Sequence, residues 1–157
     1  MNAETEAEAI NPYSLKHKPV YLLAYEAHDG PYADDSDCKY LSLGWAQYDQ
    51  RSASLKTLRH TGTKWSRQSE EIPLHRAVDL VLLLAQAIRR TEQGHLKPIT
   101  FPAGALENQA GDISIKVDTT SSAEEAAFSS QITNELVQRR LNKLREVLNE
   151  LHAAGKI

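Results

Sequence analysis

Cysteine is almost absent from this chain. Cys38 stands alone among 157 residues, which excludes an intrachain disulfide and any zinc-type cysteine spacing. Long hydrophobic runs are missing as well. The longest, Leu80–Ala85, falls far short of the roughly 20 residues a helix needs to span a bilayer. Charge of one sign is not in excess: 18 Lys and Arg face 21 Asp and Glu, a net charge of -3. Such a balance exerts no long-range pull on nucleic acid or an anionic membrane. The start, Met1-Asn2-Ala3-Glu4, has neither the basic residues nor the apolar stretch of a signal peptide. These absences set the expectation of a reducing, cytoplasmic location with neither nucleic acid nor membrane as a partner. Standard chemistry motifs are absent too. There is no Gly-x-x-x-x-Gly-Lys phosphate loop, no Gly-x-Gly-x-x-Gly and no Gly-x-Ser-x-Gly elbow. The acidic run from Asp34 to Asp37 lacks the glycine and distal glutamate of a calcium loop. No cofactor and no metal are expected.

What is present reads as globular. Hydrophobic residues make up 41% and charged residues 25%, near the averages of folded domains. Residues 1–14, where Glu4, Glu6 and Glu8 alternate with alanines, read as a flexible acidic tail, and 15–157 as a single domain. From Pro19 to Tyr25 both alternating faces are apolar, the pattern of a central strand. Strands are predicted over Lys39–Tyr48 and Ala53–His60, joined by a turn at Asp49–Ser52. Gly44 inside the first of these predicts a bulge or a close backbone approach. Pro73–Thr91 reads as a helix, apolar on most sides and therefore the centre of the core. Short strands are predicted at Pro98–Phe101 and Asp112–Asp118, and a last helix from about Ser122 toward His152. The fold class is α+β: an antiparallel three-stranded meander plus one or two further strands, a buried central helix and a long C-terminal helix.

Two groups of residues could carry function. Between Arg51 and Ser69 the chain has five basic residues and no acid. Arg59, His60, Lys64, Trp65, Ser66, Arg67, Ser69 and Arg76 place cations and hydroxyls beside a helix start, a chemistry suited to phosphate or carboxylate. The plainer account is local pairing with the acidic stretch Glu26, Asp29, Asp34, Asp35 and Asp37. The second group is Glu71, His75 and Asp79, four apart, which on a helix would align a carboxylate, an imidazole and a carboxylate. Such a row can tune a general base or bind a divalent metal, although the His-Glu-x-x-His spacing is absent. Ser66 and Ser69 read as caps rather than nucleophiles. The aspartates before Cys38 would raise its thiol pKa rather than activate it.

The stretch Lys39-Tyr40-Leu41-Ser42-Leu43-Gly44-Trp45-Ala46-Gln47, followed by Arg59 through Arg76, resembles a family of short bacterial proteins known only as a domain of unknown function. The likeness spans about the middle half of the chain. It implies a bacterial, cytosolic source and brings no activity, cofactor or catalytic residue. The leading functional expectation is a non-enzymatic binding or regulatory module with an anion or acidic-peptide site at residues 59–76. The alternative is a hydrolase using His75 with Glu71 or Asp79, metal-assisted or not. Finally, Val137, Leu141, Leu144, Leu148 and Leu151 form a narrow seam on the C-terminal helix, and Phe128, Ile132 and Leu136 a second, rotated stripe. Heptad and helical periods drift apart by about 20° per heptad. One straight helix cannot turn both stripes to a flat sheet, so the expectation is a kink or a homodimer through this helix.

Overall fold

The computed structural model describes residues 11–92, 99–115 and 121–157. Contacts divide the chain into two compact units, residues 1–78 and 79–157. The first is built on a four-stranded antiparallel sheet ordered β1 (Lys18–Ala24), β2 (Cys38–Trp45), β3 (Ala53–Arg59) and β4 (Glu71–Pro73). The β2–β3 turn is made by Asp49. Its carboxylate accepts the Arg51 N–H at 3.0 Å and the Ser52 hydroxyl at 2.8 Å, the local bonding that suits Asp to turns. Gly44 marks a close approach, as its position in a strand suggests. The β1–β2 register shifts between Pro19 and Tyr21, and a Cβ on Gly44 would collide with the Lys18 carbonyl. Before β1, Asn11 caps a single 3-10 turn, Pro12–Ser14; the rest of the expected acidic tail lies outside the described residues.

Two expectations are corrected here. β1 is not central: among the described strands it pairs only with β2. Apolar residues on both faces show that a strand is sticky, not how many neighbours it has. The sheet also gains a strand, Glu71–Pro73, where a helix start was expected. Three residues are too few to show any period.

The buried layer of the first unit is unusually polar. His17, Ser36, Ser42, Ser54 and His60 are buried beside Cys38, Ala46 and Leu58. Alternation explains the selection: Ser42, Gly44, Ser54 and Leu58 occupy even positions of β2 and β3, and side chains two apart share a face. The odd-numbered face carries Tyr21, Leu23, Leu41, Leu43 and Leu55, and Tyr21 and Leu23 are exposed.

Helix α1, Leu74–Glu92, begins in the first unit and continues into the second. It matches the predicted span, but it is not the buried centre of the core. No residue of it is buried; Val78 is 66% and Leu80 53% exposed. Sequence periodicity reports which sides of a helix are apolar, whereas burial depends on what packs there.

In the second unit β5 (Ile99–Phe101) and β6 (Ile113–Ile115) pair antiparallel. The loop between them is held by Gln109, whose amide donates to the Phe101 and Gly111 carbonyls and accepts from the Leu106 N–H. The expected continuation of β6 to Asp118 lies outside the described residues. The predicted last helix is two: α2, Ser122–Ile132, and α3, Glu135–Ala153. The break is a local event. Asn134 is non-helical, and its side chain accepts the Val137 N–H at 3.0 Å, starting a new helix. Phe128 and Ile132 thus belong to one helix and Leu136 to the next, the kink that was one of the two alternatives the rotated stripes left open. Ser121 caps α2, one residue earlier than expected, and the Arg90 guanidinium donates to Glu125 at 2.7 Å.

Candidate functional site

Two polar clusters of the first unit contain Glu71 and the candidates from Arg59 to Ser69, while His75, Arg76 and Asp79 lie on α1. The first forms around His17, which precedes β1 and is 0% exposed. Its Nδ1 faces Glu71 Oε1 at 2.5 Å and its Nε2 faces Ser42 Oγ at 2.8 Å. Ser54 donates to the same Glu71 oxygen at 2.6 Å, and the Gln47 N–H donates to both carboxylate oxygens at 3.0 and 2.9 Å. One proton arrangement satisfies these contacts: Nδ1–H to the carboxylate, and the Ser42 hydroxyl to Nε2. Burial alone would raise the Glu71 pKa. The hydrogen bonds from Ser54, His17 and the Gln47 backbone outweigh it and hold the carboxyl below its ordinary range.

Serine, histidine and carboxylate in this order are the components of a nucleophilic relay. Here they tie strands together. Ser42 is 3% exposed and lies mid-strand, opposite Leu22 on one side and Lys56 on the other. Its oxygen lacks the room that a tetrahedral intermediate requires. Sequence reasoning selected Glu71 but joined it to the wrong histidine. Glu71 belongs to β4 and bonds to His17, so the Glu71–His75–Asp79 helical row does not form; His75 is exposed on the first turn of α1 and Asp79 lies four residues further along. Nothing in the local pattern around His17 sets it apart, because its partners stand 25 to 54 residues away. Among the described residues no group of three or more His, Cys, Asp or Glu could hold a metal.

The second cluster is the segment after β3. Arg59 is held by Asp37 through both carboxylate oxygens, at 2.7–3.0 Å, which lowers the Asp37 pKa. Lys39 pairs with Glu26. This is the local pairing that the acidic stretch suggested, and it occupies Arg59. Asp37 and Arg59 also line a cavity of about 570 Å³ with Tyr25, Tyr32, Asp29 and Cys38. Burial, with the Asp29 and Asp37 carboxylates, pushes the Cys38 thiol up, as its neighbours in the sequence suggested.

Beyond Arg59 the chain folds back on itself. His60 and Trp65 form a single antiparallel bridge, the Ser66 N–H donates to the Arg59 carbonyl at 2.7 Å, and the Thr61 N–H donates to the Lys64 carbonyl at 2.9 Å. Gly62 turns the corner with φ +94°, a left-handed conformation that suits glycine. Its N–H donates to His60 Nδ1 at 3.1 Å. An accepting Nδ1 carries no proton, so the ring proton of His60 is on Nε2. The His60 and Trp65 rings meet edge to face at 5.0 Å. His60 is 2% exposed. Among the described residues, three buried side-chain polar atoms have no hydrogen-bond partner: His60 Nε2, Trp65 Nε1 and Ser69 Oγ. All three come from this segment. Lys64, Arg67 and Arg76 are exposed and make no ion pair among the described residues, while the Ser66 hydroxyl accepts the Gln68 N–H and closes a turn.

With this geometry in place, comparison with known families is decisive on membership and silent on activity. A model of a family of unknown function, DUF6530, matches residues 9–153. The chain belongs to that family. No curated protein matches it, and no solved structure does. The family's span takes in both units and both polar clusters. Among the described residues, no helix is long and apolar enough to cross a membrane.

Proposed function

We propose that this chain is a binding module whose ligand is a small anion or an acidic peptide, taken up by the segment His60–Ser69. The supporting observation is the concentration of unpartnered buried polar atoms there. A buried polar atom without a partner costs about 1–3 kcal/mol, and folded proteins leave few of them. Three in ten consecutive residues, all able to donate, are what an acceptor-rich ligand would relieve. The exposed cations Lys64 and Arg67 flank them and supply the charge. The three atoms lie beneath the surface, so uptake requires this segment to move.

Trp65 provides the test. The chain has two tryptophans, and Trp45 is exposed, so Trp45→Phe leaves Trp65 as the sole indole reporter. Sulfate, phosphate or an oligo-glutamate peptide, added at constant ionic strength, should change Trp65 emission saturably, and Arg67→Ala should weaken the response. Emission that follows ionic strength alone, identically in both proteins, would remove the site.

A further inference from the structure

We infer that the cavity lined by the β1–β2 connection binds an organic dication with an apolar stem, a linear alkyl diamine in its simplest form. This cavity, of about 570 Å³, shares no lining residue with the His60–Ser69 segment. Its size is within the range of small-molecule sites. Three aspartates, Asp29, Asp35 and Asp37, line it against one cation, Arg59. Asp37 holds Arg59 through both carboxylate oxygens, so those two charges cancel. Asp29 and Asp35 form no ion pair among the described residues. Two negative charges at the cavity are therefore uncompensated. The same space is walled by the Tyr25 and Tyr32 rings and by Leu41. A phenol face attracts a cation, and the rings with Leu41 give methylene groups an apolar surface. A metal ion would use the carboxylates alone, yet among the described residues no group of three or more His, Cys, Asp or Glu could hold one. A carbon stem with a charged group at each end uses the carboxylates and the rings together. The wall is already built. The Ser36 hydroxyl donates to Asp29, and Ser36 Oγ accepts the Cys38 N–H at 3.0 Å. The Asp34 N–H donates to the Glu26 carbonyl at 3.0 Å, and the His60 N–H to the Asp37 carbonyl at 2.8 Å. Lining groups fixed in this way lose little freedom when a ligand enters.

The experiment titrates three probes into the unsubstituted chain at neutral pH and constant ionic strength, read by calorimetry and amide NMR. Diaminobutane is the dication with a stem, magnesium a dication without one, and N-acetyl-lysine amide a monocation on a similar stem. Diaminobutane should bind about tenfold more tightly than magnesium, through the rings and the stem. It should shift the amide resonances of residues that line the cavity, Ser36 and Cys38 among them. Asp35 and Tyr32 are exposed, so both can be changed at little risk to folding. Asp35→Asn should weaken binding about threefold, Tyr32→Leu about threefold, and the two together about tenfold. Glu150→Gln removes one negative charge outside the cavity and should leave binding unchanged. Magnesium binding as tightly as diaminobutane overturns the inference in favour of a plain acidic surface. The lysine amide binding as tightly overturns it in favour of a monocation. Equal weakening by Asp35→Asn and Glu150→Gln, or no response to diaminobutane, removes the site. The comparison of probes needs no variant and stands should a substituted chain fail to fold. None of these outcomes bears on the His60–Ser69 segment, which is tested with anions.

Discussion

Around His17 the buried polar side chains are joined to one another, whereas between His60 and Ser69 three buried polar atoms are joined to nothing. Both regions belong to the same unit, and both place a histidine at 2% exposure or less. The difference lies in what the sheet delivers to each. His17 receives a carboxylate from β4 and hydroxyls from β2 and β3. His60 receives a backbone N–H and an aromatic edge. A closed network adds rigidity and specifies a register, while an open one stores free energy that a ligand can release. The first region is thus read as structure, and the second is where we propose a site.

Removing the hub of the closed network should have the largest effect. Glu71→Ala strips the acceptor from His17, Ser54 and the Gln47 N–H together, and should lower unfolding free energy by about 3 kcal/mol or more. Urea denaturation with an unchanged m-value checks this. A loss under about 1 kcal/mol would mean the network is ornamental.

Acid should act at the same point. The folded pKa of Glu71 is below its ordinary value of 4.5. Its contribution is complete above that value and disappears as pH falls through the depressed folded value. The melting temperature should therefore drop on acidification below about pH 4.5, and Glu71→Gln should flatten the drop. Asp37 is lowered as well, through its hydrogen bonds with Arg59, so some acid sensitivity should persist in the variant. A profile unchanged by Glu71→Gln would assign acid sensitivity elsewhere.

The sharpest test of the comparison uses two serines. Ser54→Ala leaves Glu71 and His17 one partner short and should cost about 1–2 kcal/mol. Ser69→Ala removes a hydroxyl that has no partner, so it should fall within about 0.5 kcal/mol of wild type or stabilise the chain. Equal costs in thermal or urea unfolding would show that Ser69 is paired, and the distinction between the regions would fail.

Much of the local fold was legible in advance. Strands β2 and β3 carry alternation, and Asp49 carries turn chemistry. The span of α1 follows from its apolar spacing and Pro73 at its start. Gly44 announced the close approach of β1. The β4 strand was not legible, because three residues ending in proline show no period. The break before α3 left a signal in Asn134, a good cap, and in the two rotated stripes, although the residues around it are otherwise helix-compatible. Of the candidate site, the charged segment and the aromatic within it were visible. Which of its residues are free was not: Arg59 lost its place to Asp37, 22 residues earlier.

The sequence by itself determined the local elements, the turn chemistry and the residue types in the basic segment, because propensity, capping and alternation act between near neighbours. Only the tertiary structure decided that His17 meets Glu71, 54 residues away, and that His60 Nε2, Trp65 Nε1 and Ser69 Oγ meet no hydrogen-bond partner among the described residues. Hydrogen bonds reach about 3 Å. Whether a donor is satisfied depends on which distant strand arrives within that distance, and no local pattern records the arrival.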